Sequence, residues 1–456
     1  MQKTFKLVNK EISKLARVDI RFLFLIGLLI ALPAFEALKN IFAFLFVVSW
    51  VVIAKKNNDW GGKWLIIDSI FLLWILTDIF VSINAIITFQ LPGDGVSDII
   101  RFVLIGWLVS RTNFSKERLA QSALVAVVAV IASLMYSYYS GHGELEELHS
   151  VGHINHTAIY LTITYAISLA LLLFNYRNLN SCQKITLVVT TMILFFTIID
   201  AGSAAGYGLL FIITLLYFLY LLIRVKKLSL VLGAFVAVTC IGILLAQQNP
   251  DAVKKIQNRI PIYNENIDLI FSINRDNHLA IDYEYLGQIS HNFFNHGTRE
   301  RINEFSYYAF KTNPLFGVGF GNYSQITMDD IRESVLKSNE IFDVYLYQTS
   351  SHPHSVYYTY LVSGGLLVFS IFVWFWFYIV WVIIKHVVLN RLRIYRNKFP
   401  ENEWIVLSSI SVVLVNLVIG MVNTTLHHEH AILSMFVLGL LIAQFRKSEL
   451  IKELAG

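Results

Sequence analysis

The sequence predicts an all-α polytopic membrane protein of about twelve transmembrane helices with one large polar loop. Two observations carry this reading. Apolar residues make up 56% of the 456-residue chain and the mean hydropathy is +0.60, more than a soluble core calls for. Charged residues are only 15% of the total. They gather between apolar runs, several of which approach the ~20 residues needed to cross a bilayer.

The first 21 residues are basic and amphipathic. With no small-residue cleavage site before the first apolar run, this segment is expected to be retained rather than removed as a signal peptide. Apolar runs follow at 22–38, 41–54, 64–86, 96–110, 119–138, 154–174, 185–200, 206–223 and 229–247. A polar stretch, 248–353, interrupts the series, and runs at 355–384, 404–423 and 431–445 close it. The expected organisation is an N-terminal bundle (1–247), a loop subdomain (248–353) and C-terminal spans (354–456). The loop is far longer than an ordinary connection, so structure of its own is expected. Asp251–Ile260 and Arg299–Lys311 have the pattern of short amphipathic helices, the second ended by Asn313 and Pro314.

Most of the 36 Lys and Arg residues lie in segments that fall on one side: 1–21, 55–63, 111–118, 177–184, 224–227, 385–398 and 446–452. The other side carries Lys39 and the long loop, whose length exempts it from the charge rule, while Arg101 falls inside a span. The positive-inside rule then puts both termini in the cytoplasm and the loop outside. This asymmetry accounts for the net charge of +5, which gives no argument for nucleic acid. Cys182 and Cys240 sit in a basic loop and in an apolar run, which excludes a disulfide framework. No P-loop, dinucleotide fingerprint or ATP signature is present, so any chemistry draws on the substrate's own energy or on an ion gradient.

The polar groups that could do chemistry cluster at the outer ends of spans. Arg299 opens a helix-like segment and Arg301 follows on another face; a guanidinium fork suits phosphate oxygens, and a solvated loop arginine fits as well. Gly317, Gly319 and Gly321 alternate in GVGFG, which allows either close backbone approach to a ligand or a tight turn. His352 and His354 stand at the mouth of the tenth run, where imidazole could take a proton from a hydroxyl or simply be satisfied by backbone and water. His153, Asn155 and His156 (GHINH) open the sixth run, and Asp98 with Arg101 could form an ion pair at the outer end of the fourth. His427, His428 and His430 (HHEH), and the acidic pair Asp282 and Glu284, fit polar packing and loop solvation better than a metal centre, so neither metal nor cofactor is expected.

Arg299 lies 15 residues before Pro314 of Pro-Leu-Phe-Gly-Val-Gly, and His354-Ser355 is followed by Gly365. This pattern resembles the O-antigen ligase and O-antigen polymerase superfamily, integral glycosyltransferases of the bacterial inner membrane. The motif likeness covers about 70 residues and the topology most of the chain. Departures are Val368 where a second glycine is usual, Ser363 for an acidic residue, Asn303 for tryptophan, and Ala204 for an arginine in GSAAGYG. The resemblance implies a GT-C-like fold and metal-independent transfer at the periplasmic face. It implies a polyprenyl-diphosphate-linked glycan as donor. The implied acceptor is lipid A-core for a ligase, a lipid-linked repeat unit for a polymerase, or a serine hydroxyl for a protein-glycosylating relative. It also implies catalytic roles for Arg299 and His354. Arg301, Arg101, His352, His156, Gly317 and Gly319 would bind substrate, with Arg101 standing in for the cation missing at Ala204. A secondary transporter is the competing class, against which stand the large outer loop and the lack of inverted repeats or broken helices in the sequence.

Overall fold

The computed structural model describes residues 19–93, 95–140, 147–201, 203–224, 299–395 and 402–455. The expected ninth span (229–247), the helix at Asp251–Ile260 and the pair Asp282/Glu284 lie outside these. Among the described residues the chain is all helical with no strand. The helices are α1 (Ile20–Ala31), α2 (Glu36–Asn57), α3 (Ile66–Phe89), α4 (Val96–Ser110), α5 (Lys116–Ser140), α6 (Ile154–Phe174), α7 (Ser181–Asp200) and α8 (Ala204–Arg224). After the loop come α9 (299–312), α10 (Met328–Lys337), α11 (Val356–Tyr395), α12 (Glu403–Val418) and α13 (His428–Ala455). Eight of them are long and apolar enough to cross a membrane.

Eleven of the twelve predicted runs are helices, with local adjustments. The first was expected to continue to residue 38, but α1 ends at Ala31 just before Pro33, and α2 begins at Glu36. Lys39, expected in an outer loop, is therefore in the first turn of α2, with only 2% of its surface exposed. The amphipathic helix at 299 forms and breaks at Asn313-Pro314 as expected. α10 was not anticipated, although its signal is in the sequence: Thr327 caps the helix and Asp330 reaches back to the Thr327 N–H at 2.8 Å, a capping box.

α6 and α13 form the centre. The apolar window of α6 is 83% buried and that of α13 is 89% buried, whereas α2 and α7 keep wide apolar faces outward, as lipid-facing helices do. Hydroxyls join the buried helices: Ser168 to Thr191 at 2.6 Å, Tyr165 to Thr214 at 2.9 Å and Tyr217 to Ser411 at 2.9 Å. A second, smaller apolar cluster of Phe305, Tyr308, Val318, Tyr323, Ile331, Val335 and Tyr347 lies under α9 and α10.

The sequence pattern of the tenth run contained no sign of a break, yet α11 is broken at Gly365, whose backbone sits at φ 62° and ψ −168°. A break inside an apolar helix strands carbonyls and N–H groups that lipid cannot satisfy. The segment after α9 satisfies them. Val318 and Gly319 donate to the carbonyls of Val362 and Ser363, each at 2.9 Å, and Leu366 and Leu367 donate to the carbonyls of Pro314 and Leu315 at 2.8 and 3.2 Å. This four-bond clasp needs bare backbone. Gly317 has φ 65°, and a Cβ there would lie 2.5 Å from the carbonyl oxygens of Val362 and Ser363. A Cβ at Gly365 would collide with the backbone of Leu315.

Gly317→Ala combines a left-handed alanine with a backbone clash, so it is expected to destabilise by on the order of 2–4 kcal/mol. The thermal midpoint of the detergent-solubilised variant measures this, and an unchanged midpoint would show that the clasp bears no load.

Candidate active site

Three helix starts converge at one end of the bundle, and each brings histidines. His153 caps α6, its Nδ1 accepting from the Asn155 N–H at 3.2 Å, and His156 follows in the first turn. His352 and His354 precede α11, and His427, His428 and His430 surround the start of α13. The His156 ring centroid lies 5.2 Å from that of His430, 6.0 Å from His428, 6.1 Å from His427, 6.3 Å from His352 and 6.4 Å from His153. His352 and His354 are 4.1 Å apart. Seven of the chain's 13 histidines thus share one cluster. His354 and His428 both have φ 51°, in the left-handed region that costs a non-glycine residue about 1–2 kcal/mol. Such strain concentrates where surrounding structure holds a side chain in place for a task.

Burial and neighbouring positive charge favour the neutral imidazole at His352, His354 and His427. His354 is pushed down to about 4, first by desolvation, then by His352 and by the Arg299 guanidinium. His352 is lowered by desolvation and His153. His427 is lowered to about 3 by desolvation and by His428. Arg299 itself is exposed at the start of α9. The two residues on which the resemblance rests are therefore close enough to act on each other electrically.

Beside the histidines lies a charge network that the sequence reading missed. Lys39 of α2 pairs with Glu36 and with Glu429, and donates to Ser150 Oγ at 3.1 Å. Glu429 is fully buried. Its position inside HHEH, opposite the single basic residue expected among the short outer connections, was the available signal. Arg101 of α4 pairs with Asp98 at 2.9 Å, as the i,i+3 spacing suggested, and also donates to Asn40. Its charge reaches His427. Glu429 Oε2, His156 Nδ1 and His430 Nδ1 are buried and have no hydrogen-bond partner among the described residues. Buried polar atoms of this kind demand a partner.

Other expected site residues have structural employment. Arg301 donates to the Tyr347 carbonyl at 3.0 Å and its own carbonyl accepts from Gln348, which ties α9 to the 344–348 turn. Gly317 and Gly319 belong to the clasp. Ala204 is the first residue of α8, and nearby Asp200 accepts from the Tyr138 hydroxyl at 2.7 Å. Among the described residues no three His, Cys, Asp or Glu side chains are arranged to hold a metal ion.

The O-antigen ligase family model matches residues 189–373, from α7 to the middle of α11. The chain carries an O-antigen ligase-family domain. This domain match supports the O-antigen ligase and polymerase superfamily and fits a multi-pass membrane protein. The matched segment holds Arg299, the clasp and His354, whereas Lys39, Arg101, His156 and the HHEH turn lie outside it. No curated protein sequence matches the chain.

Removing one partner of a buried ion pair leaves the other charge stranded. Glu429→Leu is expected to destabilise by about 3–5 kcal/mol, and adding Lys39→Met to recover most of that loss. Denaturation midpoints of the single and double variants decide this, and additive losses would mean the two groups do not depend on each other.

Proposed function

We propose that this protein is an O-antigen ligase-like glycosyltransferase. It moves a glycan from a polyprenyl-diphosphate carrier to a hydroxyl of lipid A-core at the periplasmic face of the inner membrane. The observation that carries the reading is the junction of Arg299 with a neutral, strained His354 beside buried polar atoms that await partners. The family match supports the reaction class.

In the proposed step the acceptor oxygen attacks the anomeric carbon, and the bond from that carbon to the diphosphate oxygen breaks. The electron pair leaves with the polyprenyl diphosphate, and the acceptor's proton passes to His354. Arg299 meets the charge that grows on the leaving diphosphate, where a fixed cation outside bulk water is most effective. The two roles are linked. A diphosphate facing Arg299 offsets the positive charge that depresses His354, so donor binding makes the imidazole a better base at the moment a base is needed. The glycosyl–phosphate bond supplies the driving force, in keeping with the lack of a nucleotide signature.

Arg299→Ala and His354→Ala are each expected to lower transfer by about 10²–10⁴-fold with normal protein level, the range for loss of acid–base or charge stabilisation. Gel mobility of the glycan product reads this out, and near-wild-type transfer in either variant would overturn the assignment at that position. A reporter enzyme fused after Lys337 should be active only in a periplasmic format; cytoplasmic activity there would reverse the orientation.

The pH profile has a definite sign. His354 is depressed, so its proton-accepting form is present above about 4 and is lost as pH falls through that value. The kcat/KM of the free enzyme should be flat through neutrality with its acid limb near that value. A limb near the ordinary histidine range would contradict His354 as the base.

A further inference from the structure

At the end of the bundle opposite the histidines, the connection after α2, the end of α4 and the end of α13 enclose a cavity of about 250 Å³. Arg446 lies 18 residues beyond His428 on α13, roughly 27 Å away at the helical rise, so cavity and histidines stand near opposite boundaries of a bilayer. The cavity is lined by Asp59, Lys63, Arg111, Arg446 and Lys447. Beside it the Asp68 carboxylate, fully buried, takes Arg111 at 2.7 Å, Arg446 at 2.6 Å and the Trp107 indole at 2.8 Å. Lys63, Arg111, Arg446 and Lys447 thus gather four cationic side chains at one cavity.

The guanidiniums are held rigidly. Arg111 also donates to the carbonyls of Trp60 at 2.7 Å and Gly62 at 2.9 Å, and Arg446 to that of Lys63 at 2.8 Å. Arg446 Nε is buried and has no partner among the described residues. Near the cavity, Trp60 and Trp64 are about half exposed, and Val51, Val52 and Ile66 continue an outward apolar face on α2 and α3. Exposed tryptophans beside a cationic cavity at the edge of an apolar surface mark the level of lipid headgroups.

We propose that this cavity binds the phosphate of an anionic glycerophospholipid headgroup, with the acyl chains lying along the outward faces of α2 and α3. Fixed arginines suit phosphate oxygens, and basic pockets between membrane helices take such headgroups. The apolar flank is what favours a lipid over a free phosphate. The bound lipid would link α2, α3, α4 and α13 at the end where the Asp68 ion pairs already join them. This site is separate from the proposed glycan-transfer site and does not depend on that reading.

The test is native mass spectrometry of the full-length protein released from nanodiscs that contain phosphatidylglycerol and phosphatidylcholine. Preferential retention of phosphatidylglycerol is expected; equal retention of the two lipids would overturn the proposal without any variant. Lys63→Ala and Lys447→Ala spare the Asp68 pairs, and each should weaken retention roughly fivefold. Unchanged retention in the double variant, with an unchanged thermal midpoint, would also overturn it. In detergent, phosphatidylglycerol should raise the thermal midpoint and inorganic phosphate should not. If phosphate protects equally well, the cavity is a soluble-anion site and the lipid assignment fails.

Discussion

The geometry of the histidine end depends on a helix that is broken and then repaired by another part of the chain. Gly365 interrupts α11, and the backbone of residues 314–319 supplies the hydrogen bonds the break would otherwise leave unmade in an apolar setting. Two helical rods meet at this clasp. One is α9, which runs back from Asn313 to Arg299, and the other is the first part of α11, which runs back from Gly365 to the His354 turn. Because both rods are fixed at the same four hydrogen bonds, the clasp sets where Arg299 and His354 stand relative to each other. The two glycine motifs and the proposed pair Arg299 and His354 are thus one device, in which backbone pairing at one end positions side chains at the other.

The end carrying the histidines balances charge while remaining polar. Lys39, Arg101 and Arg299 supply positive charge, while Glu36, Asp98 and Glu429 supply negative charge nearby. Imidazoles fill the space between, and burial favours the neutral form of His352 and His427 among them. Such a wall offers ring nitrogens to a polar ligand, including the Nδ1 atoms of His156 and His430, which have no partner among the described residues. Its cations come from three different helices, α2, α4 and α9, so no single segment of sequence contains the site.

That dispersal explains what could be seen in advance. Span positions were legible because lipid imposes length and apolarity on each helix separately, and α6 matches its expected bounds, 154–174, residue for residue. The Asp98–Arg101 pair was legible because i,i+3 neighbours share a helix face. Lys39 was misread as a loop residue because Pro33 ends α1 early and restarts the chain at Glu36, a register change that composition averages over. Glu429 was hidden among histidines that drew attention as possible metal ligands, and its partner lies 390 residues away. The break at Gly365 left no trace because a glycine in an apolar run ordinarily continues the helix. Only the arrival of Gly317 against Ser363 gives it a purpose.

The separation of Lys39 from Glu429 bears on how the molecule comes to exist. Membrane helices are delivered in the order of synthesis, so Lys39 enters the bilayer with the second helix and Glu429 only with the thirteenth of those described. In the interval the lysine has Glu36 beside it, an exposed neighbour rather than a buried one. The final helix also brings His427, His428 and His430. Assembly of this end is consequently withheld until α13 has been made, and a nascent chain that has not reached it has Arg299 and the first histidines but not the wall beside them. The long-range ion pair thus acts as a checkpoint on assembly, closing only once α13 has joined the helices made before it.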